Sequence, residues 1–143
     1  MQIRILYVSR AVGPQTTTVT ASILAKAQVR NAAEGIGGVL CQGQGLYLQV
    51  LEGERGAVNR LYARIVVDPR HTDVEMLRLE EITQRRFANW SMALVDLADS
   101  DPMVGLKHPE FDPYSATGAT AMTLVDELLA SGRRIVLPAG YET

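Results

Sequence analysis

Short β-strand patterns and helical patterns follow one another along this chain in an order that few folds accommodate. Residues 3–8 place alternate apolar side chains on the two sides of a short strand. A helix follows to about Asn31, with its N-cap among residues 16–18 and an apolar stripe through Val19 and Ile23. The chain therefore begins with a strand and a helix that can pack against it.

Two further strand patterns, residues 38–41 and 46–51, flank a Gly-containing loop and predict a β-hairpin. A second amphipathic helix follows and ends at Asp68, because the residue before a proline disfavours helical backbone. Strand patterns at residues 74–82 and 91–95 complete the series.

The resulting order is strand, helix, strand, strand, helix, strand, strand. It predicts an α+β protein with a ferredoxin-like βαββαβ(β) plan, a mixed five-stranded sheet with two helices on one face. In this plan the first and third strands are neighbours, so Tyr7 and Gln49 lie on adjacent strands.

Proline and glycine interrupt the chain after this series, and one more helix is predicted at about residues 120–131. We divide the chain into a domain, residues 1–96, and a C-terminal extension, residues 97–143. Residues 103–106 and 124–129 are candidates for a surface that binds a partner. We favour the alternative, in which the extension packs back onto the sheet.

Composition excludes several classes of protein. The 143 residues suit one domain, and 14 basic against 16 acidic side chains leave no excess of positive charge for nucleic acid. No apolar run approaches the about 18 residues of a membrane span, and the start lacks a signal-peptide pattern. A single cysteine, Cys41, excludes an internal disulfide. We expect a cytoplasmic protein that binds neither nucleic acid nor membranes.

Chemically reactive clusters are scarce. Two histidines and one cysteine give no metal-ligand spacing, so we expect no metal site. Gln49 is unusual because it lies within an apolar strand pattern, and a buried amide without a partner costs about 1–3 kcal/mol. From periodicity alone, Gln49 bonds backbone or faces solvent, Asn31 caps a helix, and Tyr7 is a core residue. Trp90 and Met92 alone suggest ordinary packing.

Five sequence blocks, taken together, are more specific. They are ILYVSR (residues 5–10), RNAAEGIGG (30–38), LQVLEGE (48–54), RIVVDPRH (64–71) and RFANWSM (86–92). In order and spacing they resemble the BLUF domain, a flavin-based sensor of blue light, across about residues 1–95. The remaining residues carry no motif of that domain.

The resemblance implies a flavin, FAD or alternatively FMN or another flavin, held non-covalently between the two helices. It places Gln49 between Tyr7 and the flavin, and Asn31 at the flavin edge. Arg70 would donate to a ring carbonyl, and Asp68 would position the ring or that arginine. The other implied cofactor contacts are Ile23 and Ile65, which would sandwich the ring, and Arg30, Arg64 and His71.

The resemblance also implies a light-driven switch rather than an enzyme. Tyr7 would supply an electron to the excited flavin, a proton would follow through Gln49, and Gln49 would keep a rearranged hydrogen bond. Trp90 or Met92 would transmit the change, with either residue facing the flavin. The signal would leave through an unknown downstream protein or through self-association.

Three positions depart from the family pattern. Gly37 stands where threonine is frequent, and we expect this difference only to soften a turn. Ala27 stands where a serine that contacts the flavin is common, and Arg30 stands where asparagine or histidine is frequent. None of these differences touches the residues of the implied switch.

Two alternatives remain. One is a BLUF-like fold that binds proteins without responding to light. The other is a small hydrolase similar to acylphosphatases, in which Arg10 after the first strand would bind an anion. The rest of the acylphosphatase pattern, including an asparagine on a central strand, is missing.

Overall fold

The computed structural model describes residues 1–96, 112–131 and 133–135, which form a six-stranded sheet with helices on both faces. The strands are β1 (Gln2–Ala11), β2 (Gly37–Gly43), β3 (Leu46–Glu54), β4 (His71–Ile82), β5 (Ala93–Asp96) and β6 (Arg133–Ile135). The helices are α1 (Thr17–Ala33), α2 (Arg55–Val66) and α3 (Gly118–Ser131).

The strands lie in the order β4-β1-β3-β2-β5-β6. Strand β5 runs parallel to β2, and all other neighbouring pairs are antiparallel. The predicted α+β class and βαββαβ(β) order are confirmed, and Tyr7 pairs directly with Gln49 as expected. Strand β6 was not predicted; it adds a sixth strand along β5.

Helix α1 buries a face that is largely polar. Thr16 begins the helix, and its hydroxyl accepts a hydrogen bond from the Val19 amide at 3.2 Å. Thr20, Leu24 and Gln28, four residues apart, are buried against the sheet, whereas Val19 is 51% exposed. The predicted apolar stripe through Val19 is therefore wrong, because the helix turns polar side chains with hydrogen-bond partners inward.

The two sheet faces are covered by different helices. Helices α1 and α2 cover what we call the cavity face, whose buried strand residues include Ile3, Ile5, Leu40 and Leu51. Helix α3 covers the far face, whose buried strand residues include Leu6, Val8, Val39, Leu48 and Val50.

Helix α3 of the C-terminal extension packs onto the sheet. Leu124, Val125 and Leu128 of α3 are buried in the far-face core. This confirms the favoured alternative for residues 124–129, which are not an open binding surface. The other candidate surface, residues 103–106, lies outside the described residues.

A connection between β4 and β5, which we call the 83–92 loop, passes close to the start of β2. The Trp90 carbonyl accepts a hydrogen bond from the Gly38 amide at 2.9 Å, and a Cβ atom added to Gly37 would lie 2.0 Å from the Phe87 carbonyl oxygen. The expectation that glycine at residue 37 only softens a turn is wrong, since the loop fills the space of a side chain.

No helix in the described ranges is both long enough and apolar enough to cross a membrane.

Candidate functional site

A cavity of about 270 Å³ opens between α1, α2 and the cavity face of the sheet. Strands β1 and β3 form its floor, where Tyr7 and Gln49 lie side by side. All the residues that the sequence suggested as cofactor contacts line this one cavity: Tyr7, Ile23, Arg30, Asn31, Gln49, Arg64, Ile65, Asp68, Arg70 and His71.

A hydrogen-bonded chain crosses the floor of the cavity. The Tyr7 hydroxyl donates a hydrogen bond to Gln49 Oε1, and Gln49 Nε2 donates to the Met92 sulfur at 3.3 Å. All three side chains are buried. Burial, with smaller contributions from Tyr62, Asp68 and Tyr47, raises the pKa of Tyr7 well above its ordinary value. Tyr7 is therefore a neutral phenol that donates its proton to the amide oxygen.

Asn31 leaves a buried acceptor without a partner. Its Nδ2 donates to the Ser91 carbonyl at 3.0 Å, while Oδ1 has no partner in the described part of the chain. Helix α1 continues past Asn31 to a C-cap at Glu34, so Asn31 is not the cap that its position suggested. Buried polar atoms normally have partners, and this oxygen suits an N–H group of a bound ring.

The walls of the cavity are aliphatic. Ile23 of α1 and Ile65 of α2 both line it, together with Leu24 and Leu61. A planar ring placed between the two helices would bury both of its faces against apolar side chains, and its polar edge would meet the amides of the floor. Ala27 also lines the cavity, so a methyl group stands at the position where serine is common.

Asp68 and Arg70 form an ion pair just after α2. Arg70 donates from Nε at 2.9 Å and from its backbone amide at 2.9 Å to the same carboxylate oxygen. These hydrogen bonds hold the pKa of the Asp68 carboxyl below its ordinary value. The pair leaves part of the guanidinium exposed at the cavity mouth, where it can donate to a ligand.

His71 ties the end of α2 to β1. Its Nε2 lies 2.6 Å from the Ile65 carbonyl, and its Nδ1 lies 2.8 Å from the Ser9 hydroxyl. Since a carbonyl oxygen only accepts, Nε2 carries a hydrogen. Both ring nitrogens are thus used within the protein. His71 shapes the cavity, and its ring nitrogens are not free to bind a ligand.

A second cavity, of about 300 Å³, lies beside the first and shares residues with it. Three cationic side chains line it, Lys26, Arg30 and Arg70. Arg64, on the rim of the first cavity, pairs with Glu34 at 3.6 Å. Positive charge therefore concentrates at one side of the site, as phosphate groups require.

Trp90 and Met92 point to different faces. Met92 contacts Gln49, while Trp90 packs against Phe87 in the far-face cluster, with ring centroids 5.5 Å apart. The structure thus brings Met92, and not Trp90, to the Tyr7–Gln49 pair.

Sequence reasoning missed several residues around the floor. Tyr47 lines the cavity, Tyr62 lies 5.8 Å from the Tyr7 ring, and Thr20 donates to Gln42 at 2.5 Å. The period of two along β3 places Tyr47 on the same face as Gln49 and is a signal that finds it. The Thr20–Gln42 bond joins two elements and has no signal within either.

The anion-binding role considered for Arg10 has no support in the structure. Arg10 lies 3.4 Å from the Asp73 carboxylate and 4.4 Å from the centre of the Tyr114 ring. Among the described residues, no cluster of three His, Cys, Asp or Glu side chains could hold a metal ion.

The fold is that of an α+β domain with a cavity between two helices and a sheet. The family model for BLUF, described as sensors of blue-light using FAD, matches residues 2–93. The chain belongs to this family.

Related sequences include much larger proteins. The chain is 38% identical over 87 residues to photoactivated adenylate cyclase subunit beta of Euglena gracilis, a match that covers 60% of this chain and 10% of that protein. It is 44% identical over 72 residues to an alpha-like photoactivated cyclase subunit of the same organism, covering 50% and 7%. The chain spans about a tenth of the length of these relatives.

Solved structures also match, among them two of about the same length as this chain. The photo-activated state of BlsA superposes with a TM-score of 0.82 at 26% identity, covering 96% of this chain and all of BlsA. The BLUF protein BlrB in its dark state gives a TM-score of 0.73 at 28% identity, covering 90% and 95%. A bacterial light-regulated adenylyl cyclase gives 0.70 at 31% identity, covering 91% of this chain but 35% of the cyclase.

Proposed function

We propose that this chain is a blue-light photoreceptor that binds FAD non-covalently in the cavity between α1 and α2. The observation that carries the proposal is the hydrogen-bonded chain from Tyr7 through Gln49 to Met92 at the cavity floor. Membership of a family of flavin-based light sensors supports the same conclusion.

The residues of the site fit FAD. The unpartnered Oδ1 of Asn31 offers an acceptor to a ring N–H, and Ile23 and Ile65 offer aliphatic walls for the ring. Lys26, Arg30 and Arg70 around the second cavity offer donors to phosphate groups. These cations favour FAD, with its two phosphates, over FMN.

Bound FAD would absorb blue light and provide an electron acceptor. We assign to Tyr7 the loss of an electron, since its phenol is the oxidisable group bonded to the amide. Gln49 accepts the Tyr7 proton at Oε1 and holds an N–H on its other side, so it can pass a proton or turn over. After the electron and the proton have both returned to Tyr7, Gln49 keeps the rearranged hydrogen bond.

The output of this switch is proposed to be a protein contact and not a reaction of the chain itself. Relatives described as photoactivated adenylate cyclases are about ten times longer than the matched segment. In this chain the signal would reach a partner protein or a second copy.

A light-minus-dark absorption spectrum of the FAD-loaded protein tests the proposal. We expect a small red shift in blue light that reverses in the dark. Gln49→Leu should keep the flavin and lose the shift, whereas Gln2→Leu, which changes a glutamine at the start of β1 that does not line the cavity, should keep both. A loaded wild-type protein without any light-induced difference would contradict the proposal and favour a light-independent binding module.

A further inference from the structure

The 83–92 loop begins on one face of the sheet and ends on the other. Phe87 is buried in the far-face core, whereas Met92 lies in the cavity-face core and contacts Gln49. Between them, the loop is fastened to the start of β2 by the bond from the Gly38 amide to the Trp90 carbonyl. The loop therefore wraps around β2 and connects the two faces.

Glu52 holds the far-face end of this loop. Its carboxylate is fully buried and accepts hydrogen bonds from the backbone amides of Phe87 at 2.7 Å and Arg86 at 3.1 Å. Arg4 donates to the same carboxylate from Nε at 2.7 Å and lies 2.6 Å away through NH2. A buried carboxylate in a strand thus binds two backbone donors of a distant loop.

Strand β3 therefore contacts the 83–92 loop at two separate points. Glu52 and Gln49 are three residues apart on β3 and point to opposite faces. Glu52 binds the loop at Arg86 and Phe87, and Gln49 touches it at Met92. On the cavity face, Gln28 adds a hydrogen bond to the Met92 carbonyl at 2.6 Å.

We propose that Glu52 is a positioning residue for the light switch. It fixes one end of the 83–92 loop, so that a turn of the Gln49 amide displaces the Met92 end and leaves the Arg86 end in place. The inference rests on the proposed function, because it takes Gln49 as the group that rearranges.

A carboxylate is needed at this position because both of its oxygens only accept hydrogen bonds. Oε1 faces the amides of Arg86 and Phe87, and Oε2 faces Arg4 and also the Arg86 amide. Glutamine at residue 52 would turn an NH2 group towards one of these sets of donors. Either the loop or Arg4 would then lose its partner.

The test compares dark recovery in Glu52→Gln and Glu80→Gln. Glu80 accepts from the same Arg4 at 2.9 Å and from Arg78 at 3.0 Å, so its substitution removes equal charge from the cluster without touching the loop. We expect Glu52→Gln to recover about tenfold faster than wild type, because a loosely held Met92 yields when Gln49 turns back. Glu80→Gln should recover at the wild-type rate.

The outcomes separate this inference from the proposed function. If wild type shifts in light and flavin-loaded Glu52→Gln recovers at the wild-type rate, the role of Glu52 is refuted and the photoreceptor stands. If wild type shows no shift, the proposed function itself fails. A general loss of stability would lower the unfolding temperature without changing the recovery rate.

Hydrogen exchange in wild type decides the matter if Glu52→Gln does not retain flavin. Illumination should change amide exchange in the segment around Met92 and leave the amides of Arg86 and Phe87 unchanged. Equal changes at both ends of the loop would overturn the proposal.

Discussion

The Gln49 side chain has unequal partners on its two sides. Its oxygen accepts from the buried Tyr7 hydroxyl, and its nitrogen donates to the Met92 sulfur, which is a weak acceptor. The hydrogen bond to the amide oxygen is the stronger of the two, because a hydroxyl is a good donor and a thioether sulfur is only a weak acceptor. The amide is thus held firmly through one atom and loosely through the other. That asymmetry suits a side chain that must hold one state and still reach a second.

Because Tyr7 is buried, the free energy of unfolding should decrease as the pH becomes alkaline. The folded pKa of Tyr7 is raised by burial, so its contribution is complete below the pKa of an unfolded tyrosine, about 10. Above that pH the contribution falls by up to about 1.4 kcal/mol per unit. The free energy of unfolding, measured with urea at pH 10 and at pH 11, should fall more between these two pH values for wild type than for Tyr7→Phe.

The buried Cys41 thiol does not affect the comparison of wild type with Tyr7→Phe. Burial raises the pKa of its thiol to about 12, so it also destabilises the fold at high pH, but it is present in both proteins. The difference between wild type and Tyr7→Phe therefore reports Tyr7 alone. Equal losses in the two proteins would mean that Tyr7 ionises freely within the fold.

At the scale of elements, strands were easier to predict than buried faces. Alternating apolar residues indicated β1 and the β2–β3 hairpin because each side chain contributes to one face or the other. Helix α1 buries Thr20, Gln28 and Asn31, and their hydrogen-bond partners lie on β2, at Met92 and at Ser91, respectively. An apolar pattern does not show which polar residues will find partners in other elements.

Neither the burial of Glu52 nor strand β6 was predicted, because both depend on contacts with residues that are distant in the sequence. A glutamate in a strand suggests exposure to solvent, and the donors that bind Glu52 lie 34 and 35 residues further along the chain. Strand β6 has three residues and is defined by its pairing with β5. The candidate cavity residues, by contrast, came from sequence blocks whose spacing resembles a family.

The close approach of β2 to its neighbours makes Gly38 a sensitive position. A Cβ atom there would lie 1.9 Å from the carbonyl oxygen of Val50 on β3, so backbone would have to move. We expect Gly38→Ala to lower the free energy of unfolding by about 3 kcal/mol or more, measured by urea denaturation.

Gly56 on α2 provides the matched control. A Cβ atom there meets the flexible end of the Arg60 side chain at 3.2 Å, and alanine favours a helix over glycine by about 1 kcal/mol. Gly56→Ala should leave stability unchanged or raise it. A stable Gly38→Ala protein would show that the spacing of β2 and β3 adjusts without loss.

Across the whole molecule, the sheet is the middle of three layers. Helices α1 and α2 build the candidate cavity on one face, and α3 fills the other face. The 83–92 loop links the layers, since Arg86 donates to Asp126 of α3 at 2.5 Å and its backbone amide binds Glu52. These contacts tie the Arg86 end of the loop to α3 as well as to the sheet, so this end stays in place when the Met92 end moves.

The proposed division of the chain requires that residues 1–96 fold without the extension. The contacts of α3 with the sheet make this requirement testable. All the candidate cavity residues lie in that segment, but removing α3 would expose the apolar far face of the sheet. Fully burying one large apolar side chain contributes about 1.5–3 kcal/mol to stability. Helix α3 buries four such side chains, Met122, Leu124, Val125 and Leu128. Their combined contribution is comparable to the free energy of unfolding of a whole domain, about 5–15 kcal/mol.

We therefore expect a chain ending at residue 96 to aggregate or to unfold at much lower urea concentration, despite its complete set of cavity residues. The full chain keeps α3 and β6 and serves as the reference. Size-exclusion chromatography and urea denaturation of both, with FAD present, measure the difference. The opposite result is that residues 1–96 give a monomeric product that binds flavin and is as stable as the full chain. That result would show that the far face of the sheet does not need α3 for stability. In that case the extension would be free to leave the sheet and bind a partner.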